Sequence, residues 1–239
     1  MSDQFQRTRM LLGGDAVEKL VRSRVAVFGL GGVGGYAVEA LCRSGVGALD
    51  LVDSDKIALS NLNRQIIALH STLGMDKTEA AAARARDINP ACEVRTYRTF
   101  YLPGESTEFD FAAFDYVVDA IDTVTGKLGL ILAAREAGTP IISAMGTGNK
   151  LDPTLLRVSD ITETSVCPLA RIMRKELRRR GVEHLKVVWS PEEPRTAEAP
   201  SPEEPSAGRR SIPGSVAFVP AAAGLILAAE VVKDLCTQR

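Results

Sequence analysis

The 239-residue chain is 45% hydrophobic, enough for one substantial core, and its 25% charged residues nearly cancel, leaving a formal net charge of −1. That balance excludes a polycationic nucleic-acid binder or a charged disordered chain as the whole protein, so any RNA contact must come from a local basic patch. Cys42, Cys92, Cys167 and Cys236 are too far apart for a zinc knuckle or a redox dithiol, and no apolar run reaches the roughly 18 residues of a membrane span.

The opening stretch, MSDQFQRTRMLLGG, is polar and charged where a secretory signal needs an apolar centre, and a cytoplasmic protein is expected. A short helix is predicted over Gly14–Arg22, and the compact apolar run Val25–Phe28 fits a buried parallel strand. The glycine-rich turn Gly29-Leu-Gly-Gly-Val-Gly-Gly35 follows. Helical spacing at Val38, Leu41 and Cys42 then leads to a second strand, Ala48–Val52. A glycine turn after a buried strand can cradle phosphates, because the backbone admits a close approach and the next helix presents free N–H groups. A tight turn that binds nothing is the plain alternative. Asp53 stands 24 positions after Gly29, close to the roughly 20 expected of an acid that bonds a ribose hydroxyl.

Next, Ser60-Asn-Leu-Asn-Arg-Gln65 crowds Asn61, Asn63, Arg64 and Gln65 into one loop. Amides and a fork-shaped cation suit a triphosphate, whereas hydride transfer needs little charge neutralisation, so ATP fits better than a nicotinamide dinucleotide. An alanine-rich helix is predicted over Lys77–Ile88, stopped by Asn89-Pro90. Strands follow at Glu93–Tyr97, Tyr116–Ile121 and Pro140–Ala144, with a helix over Thr125–Ala137. The alternation predicts an α/β fold, a Rossmann-like, doubly wound, mostly parallel sheet. In plain terms, Lys77 is a solvated helix residue and Asp122 an N-cap.

Beyond Gly146 the pattern loosens into a C-terminal elaboration: a strand over Leu155–Val158, a basic helix over Pro168–Arg180 and a strand over Leu185–Trp189. The proline-rich stretch 190–214 is too poor in apolar residues to fold alone and is expected to be a flexible crossover loop. An apolar helix, Ala221–Leu235, ends the chain and suits core packing or a dimer seam. Residues 1–239 read as a single domain. In the basic helix Arg171, Arg174, Lys175 and Arg178 recur on one face and Leu169, Ile172, Met173 and Leu177 on another. That face is either a surface for a nucleic-acid backbone or an ordinary solvated one.

Several motifs in fixed order carry a resemblance. Gly29-x-Gly31-Gly32-x-Gly34, Asp53-x-Asp55, S-N-L-N-R-Q, G-M-D-K at 74–77 and D-A-I-D at 119–122 resemble the adenylation core of the ubiquitin-activating-enzyme-like family of HesA, MoeB and ThiF. The resemblance implies ATP and Mg2+ as cofactors and a carboxylate that attacks the α-phosphorus, leaving an acyl-adenylate. It further implies that Asp53 holds the ribose, that Asn61 and Arg64 meet the α- and γ-phosphate region with Gln65 assisting, that Lys77 reaches the phosphates, and that Asp122 holds the metal. Arg7, in F-Q-R-T, matches an arginine that crosses a homodimer to the other subunit's γ-phosphate, and Arg9 stands beside it. Positioning and electrostatics carry such chemistry, so no Ser/His/Asp set is needed; His70 and His184 sit in no catalytic pattern.

Relatives that activate sulfur carriers bear two Cys-x-x-Cys pairs, which this chain lacks. Instead Gly146-x-Gly148, Leu151–Thr154, D-I-x-x-T at 160–164 and C-P-L-A-R at 167–171 are similar to the tRNA threonylcarbamoyladenosine dehydratases, with G-V-G-A at 45–48 and I-N-P at 88–90 in agreement. This implies ATP-dependent dehydration, by cyclisation, of threonylcarbamoyladenosine in the tRNA anticodon loop. The expected partners are tRNA, a second copy of the chain and sulfur-transfer proteins, and no membrane. Lys127 either adds to the active-site charge or is an exposed helical lysine. Cys167 is expected to be structural or to line the substrate site. The alternatives are adenylation of a ubiquitin-like or sulfur-carrier protein with Cys167 as acceptor, and a nucleotide-bound non-catalytic adaptor.

Overall fold

The computed structural model describes residues 3–104, 109–196, 198 and 213–237; most of the expected crossover loop, 197 and 199–212, lies outside them. The chain opens with α1 (Gln6–Leu12), α2 (Gly14–Arg22), β1 (Arg24–Phe28), α3 (Gly34–Ser44) and β2 (Ala48–Val52). It continues through α4 (Lys77–Ile88), β3 (Glu93–Tyr97), β4 (Tyr116–Asp119), α5 (Val124–Ala137) and β5 (Ile141–Ala144). The remainder is β6 (Arg157–Asp160), α6 (Pro168–Arg179), β7 (Lys186–Trp189) and α7 (Phe218–Thr237).

These strands form one seven-stranded sheet in the order β3-β2-β1-β4-β5-β7-β6. All neighbours are parallel except β6, which runs antiparallel to β7. The central strands are buried on both faces, which is why they read as continuous apolar runs rather than as alternating ones. The winding reverses between β1 and β4, and a crevice at the carboxyl ends of these strands is where such sheets bind ligands.

Three apolar clusters hold the sheet to its helices. One packs α3, α4 and α7 on one face around Leu41, Leu49, Leu51, Leu227 and Val231. A second joins α5, α6 and β7 through Ile131, Met173 and Trp189, and a third is an aromatic group around Phe28, Tyr101 and Phe111. Each such fully buried side chain contributes about 1.5–3 kcal/mol of transfer free energy. Helix α7 turns out to be a core element: Ala223, Leu227, Val231 and Leu235 are buried at a four-residue spacing, and Gly224 lies so close to α3 that a Cβ there would stand 2.2 Å from the Val33 carbonyl oxygen. Between α3 and α4, Glu39 takes Arg84 in a fork at 2.6 and 3.0 Å and Arg43 at 2.8 Å. Burial works to raise the Glu39 pKa, but the two guanidinium groups outweigh it and hold it below the ordinary value.

The structure departs from the sequence expectations in a few places. The strand expected over Leu155–Val158 begins two residues later, because the Asp152 carboxylate accepts the Thr154 N–H at 2.8 Å and closes a 3-10 turn over Pro153–Leu155. The strand expected to reach Ile121 stops at Asp119. Helix α1 buries no residue, so it leaves no periodic apolar signal in the sequence. In α6 the packed face is Ala170, Met173 and Leu177, whereas Ile172 is 45% exposed. Among the described residues no helix is long and apolar enough to cross a membrane.

Candidate active site

A cavity of about 610 Å³ opens at the switch point between β1 and β4. Its floor is the glycine turn after β1, and glycine is required there for steric reasons. Gly29 adopts a φ of +88°, and a Cβ on it would stand 2.8 Å from the Ala120 carbonyl oxygen. A Cβ on Gly34 would fall 1.7 Å from the Gly29 oxygen. Helix α3 starts at this turn with no side-chain cap, and its Gly35 N–H donates to the Gly31 carbonyl at 3.1 Å. Gly29, Gly31 and Gly32 line the cavity, whereas Gly34 is not on its wall, being packed against the Gly29 carbonyl.

Asp53 leaves the end of β2. Its Oδ2 accepts the Leu30 N–H at 2.7 Å and its Oδ1 accepts the Asp55 N–H at 2.8 Å, so the carboxylate is locked to the glycine turn while keeping lone pairs for a ribose hydroxyl. Burial raises the Asp53 pKa, and the Lys77 charge opposes that rise. Lys77 begins α4 and is only 6% exposed, with Nζ 2.7 Å from Asp55 Oδ2 and 3.8 Å from Asp53 Oδ1. It lines the cavity, which excludes the reading of a solvated helix lysine.

The loop after β2 delivers Asn61, Arg64 and Gln65 to the cavity wall. Asn61 Oδ1 accepts the Ala58 N–H at 3.1 Å, and Arg64 donates to the Ser60 carbonyl and to Asn63 Oδ1, both at 2.9 Å. Gln65 is buried and its Oε1 has no hydrogen-bond partner, a cost that a bound ligand would relieve. Asn63 is not on the wall; its Nδ2 donates to the Ser215 carbonyl at 3.0 Å and ties this loop to the segment entering α7.

From β4, residues Ala120–Thr123 form the facing wall, with Asp122 exposed to the cavity. The N-cap of α5 is Thr123 and not Asp122, so the plain reading of Asp122 does not hold. Thr123 belongs to no motif of the sequence; its Oγ1 is buried without a hydrogen-bond partner and makes no capping bond. Its only sequence signal was its place beside Asp122 at a helix start. Thr99–Tyr101 after β3 and Ala144–Gly148 after β5 also line the cavity, and both groups follow the carboxyl ends of strands.

Lys127, Cys167, Arg174 and Arg7 are also off the cavity wall. Lys127 is fully buried, with Nζ 3.0 and 2.9 Å from the two Asp119 carboxylate oxygens; it is neither exposed nor on the cavity wall. Cys167 is 1% exposed in the α5–α6 cluster, which makes it a packing residue and not a wall residue. Arg174 donates to the carbonyl and hydroxyl oxygens of Thr164 and so pins the loop before α6, leaving Arg171, Lys175 and Arg178 as the exposed cations of the predicted face. Arg7 is exposed on α1 and absent from the cavity wall, while Arg9 pairs with Asp3 at 3.1 Å.

A family model described as the ThiF family matches residues 5–239. The chain belongs to the ThiF family. Among curated ThiF-family relatives it is 41% identical over 242 residues to the tRNA threonylcarbamoyladenosine dehydratase of Bacillus subtilis, covering 98% of this chain and 95% of that one. Among solved structures it is similar to Escherichia coli tRNA N6-threonylcarbamoyladenosine dehydratase, TcdA, in complex with AMP (TM-score 0.87) and with ATP (TM-score 0.85). Both matches are at 32% identity and cover 97% of this chain and 93% of theirs. These ThiF-family likenesses run through the C-terminal elaboration as well as the nucleotide-binding half.

Proposed function

We propose that this chain is an ATP-dependent dehydratase that cyclises threonylcarbamoyladenosine in the tRNA anticodon loop, a single adenylation domain working in the cytoplasm. The observation that carries the reading is the convergence of Asp53, Arg64, Lys77 and Asp122 on one cavity at the switch point, in a chain matched end to end by the Bacillus dehydratase. ATP is consumed as a substrate. The threonyl carboxylate attacks the α-phosphorus and releases pyrophosphate; the carbamoyl group then closes the ring and expels AMP, so water is lost from the nucleoside overall.

In this reading Asp53 accepts from the ribose, the glycine turn and the start of α3 receive the phosphates, and Asn61, Arg64, Gln65 and Lys77 orient them and neutralise charge as it develops. Among the described residues no three His, Cys, Asp or Glu side chains form a metal cluster. The Asp122 carboxylate on the cavity wall is a hard oxygen donor that fits Mg2+, which takes one or two protein carboxylates with phosphate and water oxygens for the rest. Asp122 is the carboxylate to hold it, and the metal would supply charge neutralisation on the phosphates.

In this reading the exposed cations Arg171, Lys175 and Arg178 of α6, whose Leu169 lines the cavity, meet the tRNA backbone. Met10 and Leu11 on α1 are 81% and 85% exposed beside Arg7, and a homodimer would cover them and carry Arg7 to the other subunit's nucleotide. Sulfur-transfer proteins remain proposed partners. The test is to incubate the protein with MgATP and tRNA bearing threonylcarbamoyladenosine and to follow the nucleoside by mass spectrometry. Loss of one water with AMP release, abolished in Asp122→Ala, is expected; no turnover by a protein that still binds ATP would sink the reading in favour of a carrier-protein substrate.

A further inference from the structure

Behind the cavity wall lies a polar cluster that the proposed reaction does not touch. Asp119 ends β4, Lys127 sits in the first turn of α5 and Ser143 lies in β5, and all three are fully buried. Lys127 Nζ donates to both Asp119 oxygens at 3.0 and 2.9 Å, and Ser143 Oγ donates to Oδ2 at 2.6 Å. The Asp119 Oδ1 also accepts the backbone N–H of Ile121 at 3.3 Å. A buried ion pair is weak as a source of stability, since well-packed apolar residues of similar volume often serve as well. Here the pair ends on the backbone of the residue that precedes Asp122.

The elements it ties together are those that make this wall. Ala120–Thr123 follow Asp119, Ala144–Gly148 follow Ser143, and the Thr123 carbonyl at the start of α5 accepts the Lys127 N–H at 3.0 Å. Just before the bonded peptide, the Ala120 N–H donates to the Phe28 carbonyl at 2.9 Å. The wall is therefore held at Ala120 from β1 and at Ile121 from the buried carboxylate. The second hold fixes the Ala120–Ile121 peptide, one residue before Asp122.

We propose that Asp119, oriented by Lys127 and Ser143, is a positioning residue that fixes the Ile121 peptide and through it the placement of Asp122 during adenylation. This rests on the adenylating reading, and AMP release by the unaltered protein under the same conditions tests that reading separately. Lys127→Met alone strands a buried carboxylate and confounds the test with unfolding. The comparison is between two neutral pairs. In Asp119→Asn/Lys127→Met the amide oxygen still accepts from Ile121 and the amide nitrogen can donate to Ser143; in Asp119→Leu/Lys127→Met neither bond exists.

Steady-state AMP release with MgATP and modified tRNA is measured for both, each well below its own melting temperature. The apolar pair is expected to lose on the order of a hundredfold in kcat with the KM for ATP unchanged, the scale of a misplaced reacting group. The Asn-containing pair is expected to stay within about threefold of that KM and to recover most of kcat. Equal kcat in the two folded pairs, or a loss confined to KM, overturns the proposal. If the apolar pair does not fold, Ser143→Ala carries the test: a several-fold fall in kcat at constant KM supports the positioning role, and unchanged kcat overturns it.

Discussion

Lys77 and Lys127 invite comparison, because each stands in the first turn of a helix beside an aspartate at the end of a strand region, and both looked like candidate cations for the same site. The structure separates them. Lys77 faces the cavity, paired with an exposed Asp55 and within reach of Asp53, so its charge is available to a phosphate. Lys127 faces the other way, sealed with Asp119 between β4, β5 and α5, where its charge is spent inside the protein. A lysine near a nucleotide motif is thus a ligand or a brace depending on which side of a strand end it occupies.

The sharpest way to break that contrast is through stability. Lys127→Met leaves Asp119 buried and unpaired and is expected to cost about 3–5 kcal/mol, read as a lowered urea midpoint, with much of it recovered on adding Asp119→Asn. A loss below about 1 kcal/mol would place Lys127 among ordinary exposed residues instead. Lys77→Met is expected to do the reverse: a small change in midpoint and a fall in AMP release on the order of 10²–10³, the usual effect of removing one transition-state charge partner.

The same variant carries a pH signature. Burial raises the Asp53 pKa and Lys77 restrains it, so the affinity for adenosine, which has no phosphates of its own, fades as pH falls through that raised value. Removing Lys77 should move the fading to higher pH, as calorimetric titration would reveal; an unmoved profile would mean that the two groups do not feel each other. A smaller effect is expected when Arg171, Lys175 and Arg178 are all changed to Ala: a tenfold rise in the KM for tRNA, on the order expected for lost phosphate contacts, a flatter salt dependence and unchanged ATP affinity.

The smallest effect concerns Glu39, which lies far from the chemistry and sets a baseline for a buried ion network. Its folded pKa is lowered below the unfolded value of 4.5, so its stabilisation is present above that value and is lost as pH falls through the folded pKa. Glu39→Gln should cost about 1 kcal/mol near neutral pH, with the gap from the parent protein closing in acid, as paired denaturation curves would show. A gap that widened in acid would reverse the sign of the argument.

Much of the fold was legible because its elements carry local signals. The buried strands Val25–Phe28 and Ala48–Val52 are unbroken apolar runs, and Lys77–Ile88 is bounded by Asn89-Pro90, so strand, helix and stop can each be read within a few residues. The site was legible for a related reason: Asp53, Asn61, Arg64, Gln65, Lys77 and Asp122 all follow strand ends of the parallel sheet, and all six reach the cavity wall. By contrast α1 buries nothing, and the turn over Pro153–Leu155 depends on one side-chain bond to the backbone, so neither leaves a periodic trace.

By itself, then, the sequence determined the parallel α/β sheet, the glycine turn and a set of polar residues that gather on one cavity wall, because spacing along a strand or helix dictates which residues share an end or a face. Direction and contact were decided only in three dimensions. Cys167 and Lys127 went into the interior, Arg174 was taken up by Thr164, Asn63 was drawn off to Ser215, and Thr123 emerged beside Asp122. Each of these outcomes turns on what a distant segment places opposite the side chain, and periodicity along one element holds no record of its neighbours.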